Sequence, residues 1–600
     1  MSDLNALKSA VEQAVASGWI TASAGKNIAL WLTAEQYADY VPQVAELIEQ
    51  ARWKELDDAF WTVIPFGTGG RRGKMFPVGT NMINDVTIGE SAQGLATYVL
   101  EYLQQTGATH RPTCAIAYDT RHRSREFAEL CTCIMVANGF KVWFLDGYRS
   151  TPEMSFMVRY KQCDCGIMVT ASHNPPSDNA VKVYWSTGGQ VLPPHDAAII
   201  ERVMHCPKIK KTTFDACLAN FDAEFCEKEV DAAFLEAVLK VCVPGPRDLN
   251  VIYSPLHGVG ASCVLPALAG AGFQNVALFG PHAEPNGDFP NVPNHVSNPE
   301  NPAVFDIIID AAKAKGNVDL ILATDPDSDR LGCAAPLTFE PGAEWKTLTG
   351  NQIGAILTEY LLSAMQRNGQ LTPEKYVVET LVTTPLVKKI ADAYGIRTVR
   401  DLLVGFKYIG GAIDENGPEN FVLGTEESYG FLIGTHARDK DAAVAALVLC
   451  ELAAEAKANG QTVHQKLAEV YAKYGLHAEQ AFSVAMAGSD GMARMTALME
   501  RFRSNPPSEL GGLSVVFADD YESLTTLELG TGIREPLIGP QGNIVLLRLS
   551  QPGNYIAVRP SGTEPKVKFY LFAALAPGEM TDLTARLNAI EKSLRASVES

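Results

Sequence analysis

The chain has 600 residues, 46% of them hydrophobic and 20% charged, and its 69 acidic against 50 basic side chains leave a net charge of −19. That length exceeds a single core and predicts roughly four domains at ~150 residues each. The charge argues against non-specific nucleic-acid binding or attraction to anionic lipid, so an anionic substrate requires a locally basic site.

The start, Met1-Ser-Asp-Leu-Asn, has no basic region followed by an apolar core, and no later run of ~18 apolar residues could span a bilayer. A cytoplasmic protein with neither nucleic-acid nor membrane partners is expected; a monomer and a dimer are equally compatible with the sequence. Twelve cysteines sit mostly in apolar surroundings, with Cys131/Cys133 and Cys163/Cys165 in C-x-C pairs. That spacing is not that of a zinc knuckle, so reduced core thiols are expected.

Residues 1–60 read as a helical extension, with Leu4, Leu7, Val11 and Val15 near one stripe and Ser2-Asp3 offering a cap. From 61 to 245, strand-like runs (Thr113–Tyr118, Lys141–Leu145, Gly166–Thr170) alternate with helical stretches such as Ser124–Asn138. This alternation predicts βαβ units and a largely parallel sheet. The breaker cluster Val243-Pro-Gly-Pro-Arg-Asp248 closes that domain, and a second α/β segment, 246–347, carries strands at Leu249–Tyr253, Asn275–Phe279 and Val318–Ala323. A third, 348–475, opens on the cap-like Leu348-Thr-Gly-Asn-Gln352 and holds strands near Tyr376–Glu379 and Phe421–Leu423. Residues 476–600 end in β runs Asn543–Ser550, Asn554–Val558 and Val567–Phe572 and a closing helix, which reads as α+β. Three successive α/β segments of similar length suggest a repeated fold.

Four polar stretches carry the chemistry. Ser172, in Thr170-Ala-Ser-His-Asn-Pro175, follows an apolar strand and lies where ligands bind in open α/β sheets; a Ser/Asn turn cap explains the same residues. Asp325, Asp327 and Asp329 alternate after the strand Val318–Ala323, and if the segment stays extended they share one face. Converging carboxylates repel unless a hard cation neutralises them, and oxygen-only ligands favour Mg²⁺; a phosphate oxygen on Ser172 would supply a fourth ligand. An acidic solvated turn is the alternative. Glu426 and Ser428 pair a carboxylate with a hydroxyl, as suits vicinal sugar hydroxyls, although a helix-cap start would use the same residues. Arg559, Ser561, Gly562, Thr563 and Lys566, with Lys568 two residues on, form an anion cradle or an ordinary basic hairpin loop. The loop Phe66–Lys74 with Arg72, together with Arg330 and Lys440, adds further cations near the same motifs. That local inversion of charge favours a phosphorylated substrate.

Together these motifs, in this order, resemble the α-D-phosphohexomutase superfamily from about Ile64 to Lys592. The long N-terminal segment, Asp178-Asn179 with Lys182-Val-Tyr184, Pro194-His195-Asp196 and Gly405-Phe-Lys407 resemble its longer-chain branch of phosphoglucomutases, phosphopentomutases and a sugar-bisphosphate synthase. The resemblance implies four domains around a central cleft, three of mixed α/β topology and a fourth related to the TATA-binding-protein fold. It implies that Ser172 is the phosphoserine and, with Asp325, Asp327 and Asp329, a Mg²⁺ ligand; that Arg72, His173, Arg330 and Lys440 surround the transferred phosphate, with proton transfer shared by His173 and Lys440; that Gly405, Lys407, Glu426 and Ser428 hold the sugar; and that Arg559, Ser561, Gly562, Thr563 and Lys568 take the distal phosphate. The reaction implied is reversible transfer between the 1- and 6-positions of a hexose phosphate, primed by a sugar 1,6-bisphosphate, with glucose favoured and mannose accepted. A pentose phosphate mutase, a bisphosphate synthase, a hydrolase and a non-enzymatic sugar-phosphate sensor are the rivals. Departures from the pattern are Val404 for a common threonine, Ala180 and Ala442 for glycines, and Glu379 where lysine is frequent.

Overall fold

The computed structural model describes residues 4–67, 69–206, 208–486, 491–560, 566–579 and 582–599. Four sheets succeed one another along the chain. The first orders its strands Gly70–Lys74, Asp178–Trp185, Cys165–Val169, Thr113–Tyr118, Lys141–Phe144 and Ala223–Phe225. The last four of these run parallel, whereas Asp178–Trp185 pairs antiparallel on both sides. The second sheet joins Val276–Leu278, Val251–Ser254 and Leu320–Thr324 in parallel, then Leu331–Pro336 and Trp345–Leu348 antiparallel. The third places Tyr376–Thr380 between parallel neighbours Arg397–Leu402 and Phe421–Glu426, with Gly430–Ile433 antiparallel at the edge.

One unit therefore occurs three times: a buried parallel strand, a short turn, and an antiparallel return strand. Its turns hold Ser172, the three aspartates, and Glu426 with Ser428. Each turn contains a residue in the left-handed region, Ser172 (φ 51°), Ser328 (φ 53°) and Tyr429 (φ 65°), a conformation uncommon for side chains of this size. Because all three turns lie at the carboxyl ends of parallel strands, where open α/β sheets present their ligands, the three units aim at one cleft. A bridge between Arg330 and Gly430 and the bond from Leu331 N to Tyr429 O (3.0 Å) tie the second turn to the third.

Local sequence explains much of this frame. The helix Gly350–Arg367 begins at a capping box in which Thr349 and Gln352 satisfy each other's backbone N–H. The helix Ser124–Ala137 buries Phe127, Cys131, Ile134 and Met135 against the first sheet, each large apolar side chain contributing roughly 1.5–3 kcal/mol. Among the described residues the cysteines form no disulfide, and all but Cys206 and Cys242 are buried, as expected of core thiols. The N-terminal helices share a core with Val78, Met82 and Val86 of the first unit, and in it Trp31 stacks on Tyr37 at 4.6 Å. Leu7 and Val11 are buried there, but Leu4 is exposed and the stripe continues through Ala14; Ser2-Asp3 lies outside the described residues.

The last sheet is antiparallel and larger than the sequence indicates, because His477–Ala485, Leu513–Asp520, Thr525–Glu528 and Arg534–Pro536 join it. Period-two alternation divides its faces. Ile556, Val558, Phe569 and Leu571 pack under the helices Gly491–Ser504 and Leu583–Glu599. Ala557, Tyr570 and Phe572 face the other way and meet Leu381 and Val382 of the third unit. Val404, which replaces a common threonine, packs against that same apolar seam. Among the described residues, no helix is long and apolar enough to cross a membrane.

Glu379 lies at this seam. Its carboxyl is buried with one oxygen unpartnered and the other 3.6 Å from Arg400, and burial, only partly offset by Arg400, pushes it up to about 8. The unfolded chain releases that proton near 4.5. The folded state thus binds the extra proton between the two values, and stability falls as pH rises through that window. Glu379→Gln should flatten the fall, so denaturation midpoints of the wild type relative to the variant should drop from about pH 5 to about pH 9; a difference independent of pH would contradict the burial of an ionisable group here.

Candidate active site

Thr170 follows the strand Cys165–Val169 that leads to Ser172 and takes the turn-capping role itself, its hydroxyl accepting from Ser172 N at 2.8 Å. The Ser172 hydroxyl is left for chemistry. It donates to Asp325 Oδ2 at 2.7 Å and lies 3.2 Å from His173 Nδ1. Arg121, itself buried, fixes this loop by donating to the carbonyls of Ser172, Asn174, Pro175 and Asp178.

The aspartate segment is not extended, contrary to the sequence expectation. It curls into a turn in which Ser328 N donates to Asp325 O at 3.0 Å, while Asp329 N and Arg330 N donate to Asp325 Oδ1 at 3.2 and 3.1 Å. The carboxylates converge because the backbone folds around Asp325. All three are buried, with ligand oxygens within 4.8 Å of one another.

The surrounding donors come from other units. Asp327 Oδ2 accepts from Lys182 Nζ at 2.8 Å and Thr151 Oγ1 at 2.7 Å, and Asp329 Oδ2 accepts from Lys440 Nζ at 2.9 Å. Among the described residues Asp327 Oδ1 and Asp329 Oδ1 are buried without a hydrogen-bond partner, the latter 3.9 Å from Arg330 Nε. Two orphaned carboxylate oxygens beside the Ser172 hydroxyl fit a hard divalent cation, since buried acceptors of this kind are costly unless something satisfies them. Burial, together with Asp327 and Asp329, raises the Asp325 carboxyl well above the carboxylate range, whereas for Asp327 burial is outweighed by Lys182 and the shift is downward.

Arg72, Ser172, Lys182, Gln190, Asp329, Arg330 and Lys440 line one cavity of about 210 Å³. Burial, with Arg330 and Arg72 beside it, holds the His173 imidazole well below the ordinary histidine range, so it is neutral at pH 7. Lys440 goes the other way: burial opposes its charge, but Asp329 and Asp439 outweigh it and keep the ammonium protonated. The two residues named for shared proton transfer therefore differ in charge, His173 being neutral and Lys440 cationic. Arg330 bonds Glu300, which also keeps it charged against burial.

Glu426 ends a strand rather than starting a helix, with Lys440 and Arg330 nearby and a hydrogen bond from Ser428. A Cβ on Gly430 would come within 2.6 Å of Lys440 Cδ and 2.7 Å of Glu426 Oε1, so a larger residue there would have to displace these two side chains. Gly405 (φ 128°) precedes the helix Phe406–Asn416, and Lys407 lies 3.8 Å from Asp196 of the first unit. Arg559 and Lys568 are cross-strand partners. Arg559 lies near Tyr408 and Lys568 near Glu427, and neither cation lines the cavity at Ser172. Ser561, Gly562 and Thr563 lie outside the described residues.

Sequence reasoning passed over Thr151, Arg121 and Glu300, and used Lys182 only as a mark of resemblance. Lys182 did carry a signal, as a lone cation inside the apolar run Ala180–Trp185. Arg121 carried another, three residues beyond the carboxyl end of a predicted strand.

Family models described as phosphoglucomutase/phosphomannomutase alpha/beta/alpha domains I, II and III match residues 64–208, 232–337 and 349–474, more than half of the chain. A phosphoglucomutase of Staphylococcus haemolyticus is 34% identical over 529 residues, 86% of this chain and 91% of the relative. One from Staphylococcus aureus is 33% identical over 559 residues, 91% and 96% of the two chains. Two crystal structures share the fold. A phosphoglucomutase/phosphomannomutase family protein of Burkholderia thailandensis has a TM-score of 0.63 at 16% identity, covering 90% of this chain and 98% of that one. The open form of the Paramecium phosphoprotein parafusin, a phosphoglucomutase, has a TM-score of 0.60 at 18% identity, covering 90% and 97%.

A ligand that binds only the folded state stabilises it, by about 2.7 kcal/mol at a hundredfold excess over Kd. Mg²⁺ should accordingly raise the unfolding temperature of the wild type, and Asp327→Asn should remove most of that rise. A wild-type unfolding temperature indifferent to Mg²⁺ would exclude a cation at the triad.

Proposed function

Because this chain belongs to the phosphoglucomutase/phosphomannomutase family, we propose that it is a mutase that moves phosphate reversibly between the 1- and 6-positions of a hexose through phospho-Ser172. The observation that carries this is the Ser172 hydroxyl, 2.7 Å from Asp325 in a buried carboxylate triad and ringed by Arg72, Lys182, Arg330 and Lys440. Lys182, Lys440 and Arg330 already pair with carboxylates, and with Arg72 they make a cationic lining around this serine that suits a strongly anionic group.

In the forward half-reaction the P–Oγ bond of phospho-Ser172 breaks as the free hydroxyl of a hexose monophosphate forms its own bond to phosphorus. The proton of the attacking hydroxyl passes to neutral His173 and from there to the leaving Ser172 Oγ, 3.2 Å from Nδ1, which restores the serine hydroxyl. The resulting 1,6-bisphosphate turns over in the cleft and returns its other phosphate to Ser172, so a sugar 1,6-bisphosphate also serves as primer. The arginines and Lys440 are suited to the charge that spreads over the equatorial oxygens during transfer. Asp325, Asp327 and Asp329, with an oxygen on Ser172, would hold Mg²⁺, which when bound supplies electrostatic stabilisation to the phosphoryl oxygens.

Glu426 and Ser428 suit paired hydroxyls of the sugar, Gly405 and Lys407 the neighbouring loop, and Arg559 with Lys568 the phosphate that is not being transferred. Glucose 1-phosphate is favoured because the curated relatives are phosphoglucomutases. Mannose 1-phosphate is the second substrate, since glucose and mannose differ only at C2 and Glu426 and Ser428 suit the hydroxyls at other positions.

Wild-type protein should show a partial mass gain of one phosphate that Ser172→Ala abolishes together with activity. With one bisphosphate primer concentration, kcat/KM should rank glucose above mannose and both above ribose 1-phosphate. A tenfold preference for the pentose, about 1.4 kcal/mol in transition-state binding, would overturn the hexose assignment, and a fully active alanine variant would overturn the phosphoserine.

A further inference from the structure

Asp327 presents two unlike oxygens. Oδ2 accepts from Thr151 Oγ1 at 2.7 Å and Lys182 Nζ at 2.8 Å, which fills its capacity, while Oδ1 is buried with no hydrogen-bond donor among the described residues. Thr151 is wholly buried and opens the helix Thr151–Tyr160 of the first unit, just after its cap Ser150. Its backbone N–H donates to Asp327 O at 3.0 Å as well. One residue of the first unit thereby grips both the backbone and the carboxylate of a residue 176 positions later.

We propose that Thr151 is a positioning residue for the divalent cation, its hydroxyl locking the Asp327 carboxylate so that only Oδ1 can coordinate. This rests on the metal reading of the triad. Lys182 alone does not impose the lock, because an ammonium is a flexible point charge that follows a rotating carboxylate, whereas a buried threonine at the start of a helix is confined to few rotamers. The lock has a consequence for selectivity. Mg²⁺ demands near-octahedral geometry with one oxygen from each carboxylate, while Ca²⁺ accepts bidentate carboxylates and irregular shells. Releasing Oδ2 lets Asp327 turn and offer both oxygens, which suits Ca²⁺ and not Mg²⁺.

The test is calorimetric titration of Mg²⁺ and Ca²⁺ into the full-length wild type, Thr151→Val and Thr151→Ser, each checked for its unfolding temperature. Thr151→Val keeps the shape and the backbone bond but deletes the hydroxyl. It should weaken Mg²⁺ binding by roughly ten- to a hundredfold, the usual range for a residue that orients a metal ligand, and Ca²⁺ by clearly less, so that the affinity ratio falls. Thr151→Ser should restore the wild-type ratio. Equal Mg²⁺ affinity in Thr151→Val and wild type would overturn the assignment, as would parallel losses for both ions, which denote a structural role alone. If Thr151→Val does not fold, Thr151→Ala carries the same expectation. Failure of the wild type to bind Mg²⁺ would instead sink the metal reading on which the proposal stands.

Discussion

Burying three carboxylates within 4.8 Å of one another is the constraint on which the rest of this structure depends. Isolated ionised carboxylates in a low-dielectric interior are very costly, and they persist only when paired, hydrogen-bonded or bound to a cation. The second unit, which supplies the aspartates, does not supply enough partners. Lys182, Thr151 and Ser172 arrive from the first unit and Lys440 from the third. The acidic triad is therefore a reason for the units to assemble as well as a place for chemistry.

The threefold repetition of strand, turn and return strand makes that assembly geometrically simple. Each turn begins where a fully buried parallel strand ends, so its side chains leave the sheet at the edge with their backbone already fixed. The turns differ in chemistry and share their placement. A serine, a carboxylate cluster and a carboxylate–hydroxyl pair can then be varied separately without disturbing the cores beneath. The fourth sheet joins by a different force, an apolar face of Ala557, Tyr570 and Phe572 laid against Leu381 and Val382. Such a seam is non-directional compared with the charged network around Ser172, and the buried carboxyl of Glu379 beside it makes that seam sensitive to protons.

The net charge of −19 and the cationic site are two aspects of one distribution. Local pairing with acidic neighbours keeps Lys440 and Arg330 charged despite burial, and Arg330, with Arg72, adds to the burial that holds His173 neutral. The protonation pattern that suits phosphoryl transfer is thus a property of the cluster. No member has it alone.

The sequence by itself determined what depends on near neighbours in the chain. The alternation of apolar strands and helices, the capping box at Thr349 and Gln352, and the polar stretches at Ser172, Asp325 and Glu426 follow from periodicity and local hydrogen bonding, and they were sufficient to identify the family and to name Arg72, Ser172, Asp329, Arg330 and Lys440, which line one cavity. Only the tertiary structure decided how those turns are shaped and partnered. The aspartate segment is a turn organised around Asp325 because its backbone N–H groups bond that carboxylate, a choice that residue alternation does not encode. Lys182 and Thr151 lie 145 and 176 residues from Asp327, and neither their contacts nor the shifted protonation of His173 and Glu379 leave a local trace. The reason is physical: secondary structure answers to interactions a few residues apart, whereas desolvation and Coulomb forces act through space and exist only once the chain has folded.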